Sequence, residues 1–166
     1  MVNIPDIYSV LETIPDPEMP ISITDLGLIE EVQLDENSVH IKLLPTFIGC
    51  FALPAIAQEI QNKVGKLDGI EDVEVELIHN PPWSIDRISD GGRASLAEHG
   101  ISVPEEGPIC NKGSENQHIE IRTSSIPCPW CNSTKTKLTS QFGPTRCRSI
   151  HYCDACRQPF ERMKRI

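Results

Sequence analysis

The stretch LIEEVQLDENSVHIKLL, residues 28–44, decides the fold of the first half of the chain. Its two ends alternate or run apolar, and the DENS between them is typical of a turn, so the stretch predicts a β-hairpin. Downstream, ALPAIAQEIQNKV (residues 52–64) has apolar residues at helical spacing, and VEVELI (residues 73–78) alternates as a strand does. We therefore expect a third strand that returns beside the hairpin after a helical crossover.

Short helices are predicted on both sides of this unit. DIYSVLETI places its apolar residues at helical spacing behind Asp6, which we predict to be the N-cap. Residues 79–100 contain short helical segments that Ser84 or Ser89 can cap, and a glycine pair that should interrupt them. Residues 1–100 are thus predicted to form a small α+β domain with a helical appendix.

Composition limits the classes of protein to consider. Hydrophobic residues make up 39% of the chain, which is enough for a core, while the longest uncharged run, residues 43–58, is too short to cross a bilayer. The first residues have no basic and apolar export signal, so we expect a cytoplasmic protein that does not enter a membrane. No phosphate-binding glycine loop, two-histidine metal motif or nucleophile triad is recognisable, so an independent enzyme is not predicted.

Charge divides the chain into two modules. Residues 1–127 carry 7 basic and 22 acidic side chains, whereas residues 128–166 carry 8 basic and 2 acidic ones. Residues 101–123 are polar, rich in Pro, Gly, Ser and Asn, and are predicted to be a linker in which Cys110 is incidental. The basic module, residues 124–166, could bind an acidic protein surface.

Two cysteine pairs, CPWC at residues 128–131 and CDAC at residues 153–156, are separated by 21 residues. Each pair can form a tight turn that presents two thiolates, and two such turns complete the tetrahedral four-sulfur shell that zinc favours. KTKLTS, CRSIHY and PFERMK supply three candidate strands, which together predict a zinc ribbon. The predicted metal ligands are Cys128, Cys131, Cys153 and Cys156.

Three further residues are candidates for chemistry. Cys50 lies where the second strand ends and the next helix begins, so the helix dipole should lower its pKa, and Thr46 could donate a hydrogen bond beside it. Burial as an ordinary core thiol is the alternative for Cys50. Asp25 is first a turn or cap residue and second a ligand. Cys147, in the second ribbon strand, is either a buried thiol or a reactive, cluster-contacting one.

The motifs DPEMPISITDLGLIEEV and PTFIGC resemble those of the MIP18 (DUF59) family, small α+β proteins associated with iron–sulfur cluster assembly. With PPWSIDRISDGGRASLAEHGI and CPWC…FGPTRCRSIHYC…CRQPFE, nearly the whole chain resembles the PaaD family of the phenylacetyl-CoA epoxidase system. The family usually has proline where Phe51 follows Cys50. The positions matching the motifs are Asp16, Pro17, Glu18, Asp25 to Gly27, Thr46, Cys50, Cys128, Cys131, Cys147, Cys153 and Cys156.

The resemblance implies an accessory role in aerobic phenylacetate degradation, in which the protein helps to mature the metal centres of a di-iron oxygenase and its iron–sulfur reductase. Cys50 would contact iron or a transient iron–sulfur cluster, and the oxygenase and reductase components would be the partners. One thiolate cannot hold a cluster, so a second copy of the chain, a partner or the second module must supply other ligands. The alternatives are a stable non-catalytic subunit of the oxygenase and, ranked last, a nucleic-acid-binding zinc ribbon.

Overall fold

Two sheets and three α-helices make up the part of the chain that the computed structural model describes, residues 2–104 and 126–165. The predicted α+β class is confirmed. Within these residues no helix combines the length and the apolar character needed to cross a bilayer. The helices are α1 (Ile4–Leu11), α2 (Leu53–Val64) and α3 (Asp90–Glu98), with a 3-10 turn at Ile85–Arg87. The strands are β1 (Ile29–Asp35), β2 (Ser38–Leu43), β3 (Asp72–Leu77), β4 (Ile101–Ser102), β5 (Thr136–Ser140), β6 (Arg148–Cys153) and β7 (Pro159–Met163).

The first sheet has the order β1-β2-β3. β1 and β2 form the predicted antiparallel hairpin, and α2 carries the chain over so that β3 runs parallel to β2. Val39, Ile41 and Leu43 alternate along β2 and have no exposed surface. They belong to one core with the buried apolar residues of α2, so the crossover helix covers one face of the sheet as the sequence periodicity predicts.

The first helix begins three residues earlier than predicted. Asn3, not Asp6, is the N-cap of α1: its side-chain oxygen accepts a hydrogen bond from the Asp6 N–H at 2.9 Å. The Asp6 carboxylate in turn accepts from the Asn3 N–H at 3.0 Å. Asn3 and Asp6, three positions apart, are both residues that can cap a helix. The reciprocal pair of hydrogen bonds favours Asn3 as the cap, because it satisfies two N–H groups at the helix end together.

The helical appendix packs on the loop before β1. The Trp83 indole N–H donates to the Leu26 carbonyl at 2.9 Å, and Ser89 caps α3 by accepting from the Gly92 N–H at 2.9 Å. The prediction that the glycine pair interrupts the helix is wrong: Gly91 and Gly92 lie in the first turn of α3, which continues through them. A side chain at Gly92 would approach the Asp25 carbonyl to 3.1 Å, so this glycine permits close packing of α3 on the loop.

The second sheet joins the two modules. β5, β6 and β7 form the predicted antiparallel ribbon, but the sheet order is β4-β7-β6-β5. Ile101 and Ser102, which the sequence placed in the linker, form β4 and pair in parallel with Glu161 and Arg162 of β7. The edge strand of the ribbon sheet is therefore supplied by the segment that directly follows α3. Cys110 and the predicted linker residues 105–123 lie outside the described residues.

The ribbon also shares the core of the first module. Cys147 and Met163 are buried in the same apolar cluster as the residues of α1 and β2. Arg148 is 5% exposed and donates to the Glu18 carbonyl at 3.2 Å across the junction. The ribbon is therefore packed on the first module, and a metal bound to the ribbon would stabilise both.

Candidate metal centre and thiol cavity

The four paired cysteines converge at one end of the ribbon. The CPWC turn precedes β5, and the CDAC turn connects β6 to β7. Each turn ends in a left-handed residue, Asn132 (φ 57°) or Arg157 (φ 60°), whose N–H returns to the carbonyl of the first cysteine of its pair. This conformation directs both sulfur atoms of a pair to the same side.

The sulfur positions fit a tetrahedral ion. All four Sγ atoms lie within 4.8 Å of one another, with Cys128 and Cys156 3.7 Å apart and Cys131 and Cys153 3.6 Å apart. A tetrahedral site with zinc–sulfur bonds of about 2.3 Å requires sulfur–sulfur distances of about 3.8 Å. The donor set and its spacing therefore form a metal-binding site.

The backbone does not by itself make this cluster anionic. The N–H groups of Cys156 and Ala155 lower the pKa of Cys153 to about 7, whereas burial raises the pKa of Cys156 to about 12. Burial also raises the pKa of Cys128. Four neighbouring thiols lose all their protons only when a cation balances the charge of the thiolates, so metal binding should release protons.

Cys50 lies in the loop between β2 and α2, two residues before Ala52, the N-cap of α2. Our expectation of a lowered pKa is wrong. Partial burial of the thiol raises its pKa, hydrogen bonding from the Ala52 backbone acts in the opposite direction, and the carboxylates of Glu18 and Asp16 raise it further. Desolvation and nearby negative charge outweigh the end of the helix, so the thiol holds its proton more tightly than an exposed one.

The Cys50 thiol borders a cavity of about 200 Å³ between the two modules. We call it the thiol cavity. The first module lines it with Glu18, Thr46 and Cys50, among others, and residues 144–147, which connect β5 to β6, line the opposite side. The cavity thus brings together Cys50 and Thr46, which the sequence singled out, and Cys147, whose role the sequence left open.

Asp25 does not belong to this cavity. One of its carboxylate oxygens accepts from the Ser89 hydroxyl at 2.5 Å and the other from the Ser22 hydroxyl at 2.8 Å. These contacts fasten the loop before β1 to the beginning of α3. Of the two predicted interpretations of Asp25, the turn residue is the one that these hydrogen bonds support.

Sequence reasoning missed the groups that hold Cys147 in place. The Thr145 hydroxyl lies 3.0 Å from the Cys147 sulfur, and Arg148 Nε donates to the same hydroxyl at 2.8 Å. Arg148 also pairs with Glu161 at 2.7 Å. No spacing in the sequence indicates this chain of contacts, because it depends on the fold of the loop before β6 and on the pairing of β6 with β7.

Comparison with known proteins follows the same division into modules. Residues 5–77 match the iron–sulfur cluster assembly protein family, and residues 112–164 match the PaaD zinc beta ribbon domain. An Escherichia coli K12 protein assigned as a component of 1,2-phenylacetyl-CoA epoxidase is 37% identical over 97% of this chain and 92% of its own. The chain belongs to the PaaD family. The likeness to this PaaD relative spans both modules and the segment between them.

Other relatives match the first module of this PaaD-family chain. The Fe–S protein maturation auxiliary factor YitW of Bacillus subtilis is 35% identical over 55% of this chain and 90% of its own. A DUF59 domain of Bacillus anthracis superposes with a TM-score of 0.53 at 31% identity, covering 55% of this chain and 89% of that one. The first module is therefore related to proteins of iron–sulfur cluster assembly.

Proposed function

We propose that this chain is an accessory maturation protein of the phenylacetyl-CoA epoxidase system. It passes iron or an iron–sulfur cluster, as cargo, to the oxygenase or reductase component, and the Cys50 thiolate is the group that contacts the cargo. The observation that carries this proposal is the position of Cys50: it borders an open cavity of the assembly-related module and stands apart from the four-cysteine cluster. The likeness to Fe–S maturation factors and to a PaaD protein supports the same assignment.

The environment of Cys50 suits a thiol that ionises only when it binds a cation. Its raised pKa keeps it protonated in the free protein, which protects it from oxidation because the thiolate is the reactive form. When a cation arrives, the thiol gives its proton to solvent, and the carboxylates of Glu18 and Asp16 that disfavoured the thiolate then favour the cation. Binding should therefore strengthen as pH rises.

In this proposal the four-cysteine site holds zinc in a structural role. Cys128, Cys131, Cys153 and Cys156 supply all four ligands and leave no position for a substrate, as in closed structural sites. The ion would fix the CPWC and CDAC turns and hence the ends of β5, β6 and β7. It takes no part in the transfer of cargo.

The edge of the thiol cavity is suited to contact with a partner protein. Ile48 and Phe51 are 75% and 88% exposed beside Cys50, and Arg146 lines the cavity next to them. Large apolar side chains with an arginine nearby are common in protein interfaces. We propose that this surface binds the oxygenase or reductase component and that salt weakens the electrostatic part of the contact.

The same exposed residues also favour a second candidate function, a stable non-catalytic subunit of the oxygenase. The experiment that separates the two produces the epoxidase components in cells with the wild-type chain, with Cys50→Ser, or with no such chain. The components are then purified free of it, and their iron content and epoxidation activity are measured.

We expect iron-loaded, active components only with the wild-type chain. Equal iron loading in all three preparations, with activity restored only by adding the purified chain, would instead establish a working subunit. Chain-dependent loading that Cys50→Ser supports as well as wild type would show that Cys50 is not the contact.

A further inference from the structure

The ribbon contributes a second thiol to the cavity that Cys50 borders. Cys147 lies in the loop on the opposite side of the thiol cavity. It is close enough that its thiolate charge disfavours ionisation of Cys50. Cys147 is 5% exposed and belongs to neither CxxC pair. The two thiols come from residues almost a hundred positions apart, so only docking of the ribbon on the first module brings them to one cavity.

A hydroxyl group also lines this cavity. Thr46 is 7% exposed, and among residues 2–104 and 126–165 its hydroxyl oxygen is not one of the fully buried side-chain atoms that lack a partner. The hydroxyl is therefore open to the cavity, where it can form a hydrogen bond with water or with a ligand. The cavity of about 200 Å³ has room for a hydrated ion, since one ordered water needs about 10–15 Å³ of such space.

Charge in the cavity favours a cation over an anion. Glu18 lines it, and the Asp16 carboxylate is close enough to act on Cys50. Arg146 is the basic residue of the lining, and its guanidinium lies over the Phe47 ring at 5.8 Å. Once they lose their protons, the two thiols form a soft, anionic donor pair, and the carboxylates of Glu18 and Asp16 add negative charge nearby. Thiolates select metals such as iron and zinc over magnesium or calcium.

We propose that Cys50 and Cys147 together bind one thiophilic divalent cation, Fe(II) as the cargo, in a two-thiolate site that neither module forms alone. This inference rests on the proposed function for the identity of the cargo. Each thiol releases one proton to solvent as its sulfur binds the ion, and no electron is transferred. Thr145 is a positioning residue. Its hydroxyl oxygen accepts a hydrogen bond from Arg148 Nε, and the same hydroxyl contacts the Cys147 sulfur.

An incomplete ligand set fits delivery better than storage. Within the described residues, no third histidine, cysteine or carboxylate forms a close ligand group with Cys50 and Cys147, in contrast to the four-cysteine cluster. Two protein ligands leave coordination positions open for water and then for the ligands of the recipient protein. A closed shell would hold the ion in place, whereas an open one allows exchange.

The test uses Co(II) as a spectroscopic probe, with no oxygen present and with zinc already in the ribbon. Zinc binds such sites more tightly than cobalt, so the ribbon retains its own ion. We expect the wild-type chain to bind one Co(II) with thiolate-to-cobalt absorption, and Cys50→Ser and Cys147→Ser each to weaken binding by at least about tenfold. Cys110→Ser, which removes another thiol outside both CxxC pairs, is the control and should bind as wild type.

A second measurement needs no substitution, since Cys147 is buried and its variant could lose stability. Alkylation of the wild-type chain is followed by mass spectrometry of the Cys50 and Cys147 peptides with and without Co(II). We expect Co(II) to slow the alkylation of both cysteines. Protection of Cys50 alone, or wild-type Co(II) affinity in a zinc-loaded Cys147→Ser chain, overturns the two-thiolate site.

These outcomes are separate from those of the proposed function. If Co(II) protects both thiols but the epoxidase components acquire iron in cells without this chain, the two-thiolate site stands and the maturation role fails. If Co(II) protects Cys50 alone and loading in cells still requires Cys50, the maturation role stands and the site with Cys147 fails.

Discussion

At the scale of single residues, burial controls the chemistry of Cys50. Its place before α2 gives it a favourable helix end, yet the pKa of the thiol is raised, because desolvation and two carboxylates act against the thiolate. The position of Cys50 in the sequence marked it as a candidate, but its surroundings in the fold set its protonation state. The same holds for Arg148, whose three contacts lie in three different segments of the chain.

The first prediction concerns the pH dependence of Cys50 alkylation. Only the thiolate reacts, so the alkylation rate should rise with pH. Because the pKa of Cys50 is raised, the midpoint of this rise should lie above the ordinary thiol pKa of about 8.5. Glu18→Gln removes a negative charge that acts on Cys50 and should shift the curve to lower pH. Glu74→Gln, on the exposed side of β3, is the control. A curve centred below the ordinary thiol pKa would contradict the role given to burial.

The second prediction concerns Arg148. Arg148→Met leaves the Glu161 carboxylate and the Glu18 carbonyl without their partner at a buried position, so it should lower the free energy of unfolding by about 3 kcal/mol. Lys137→Met removes an exposed ion pair with Asp154 and should lower the free energy of unfolding far less, because solvent screens an exposed pair. Urea unfolding of the two variants measures the difference, and equal losses would show that the Arg148 contacts do not join the modules.

At the scale of elements, local patterns predicted the helices and strands well and their ends less well. The alternation in β2 and the helical period of α2 are set by which face is buried, so the sequence shows them directly. The N-cap of α1 was misplaced because Asn3 and Asp6 are both capping residues, and only the geometry of their reciprocal hydrogen bonds distinguishes them. β4 was missed because a two-residue strand has no period.

The third prediction tests the junction between α3 and the ribbon. Gly100 has φ of 75°, and a side chain there would collide with the ring of Trp130 in the CPWC turn. Gly69 has φ of 95° with no atom near its would-be side chain. Gly69→Ala should therefore lose only the backbone cost of about 1–2 kcal/mol. Gly100→Ala should lose more than Gly69→Ala, because the Trp130 ring must also move and give up its hydrogen bond to the Pro159 carbonyl. Thermal unfolding compares the two, and equal losses would exclude close packing of Trp130.

At the scale of the whole molecule, the two modules behave as one packed body. β4 extends the ribbon sheet, and Cys147 and Met163 enter the core of the first module. Loss of the ribbon metal should therefore destabilise more than the ribbon. A chain of independent modules would instead unfold in two separate steps.

The fourth prediction uses the two tryptophans, one in each module, as separate reporters. Trp130→Phe leaves Trp83 to report on the first module, and Trp83→Phe leaves Trp130 to report on the ribbon. With zinc bound, the tryptophan fluorescence and the far-UV circular dichroism of each variant should give the same urea midpoint, and a zinc chelator should lower the midpoint of both variants. A Trp83 midpoint that the chelator leaves unchanged would contradict the shared core, and restoration of zinc is the control for reversibility.

The sequence by itself determined the features that depend on residues close together in the chain. Periodicity identified the hairpin, the crossover helix and the ribbon strands, and CxxC spacing predicted the cluster of four cysteines, because two thiols three residues apart are already neighbours in a turn. Motif resemblance pointed to Cys50. Only the tertiary structure decided the rest: the raised pKa of Cys50, the structural role of Asp25, and the meeting of Cys147 with Cys50 in one cavity. Burial and proximity between distant segments depend on how the two modules pack, and no pattern within either segment encodes that packing.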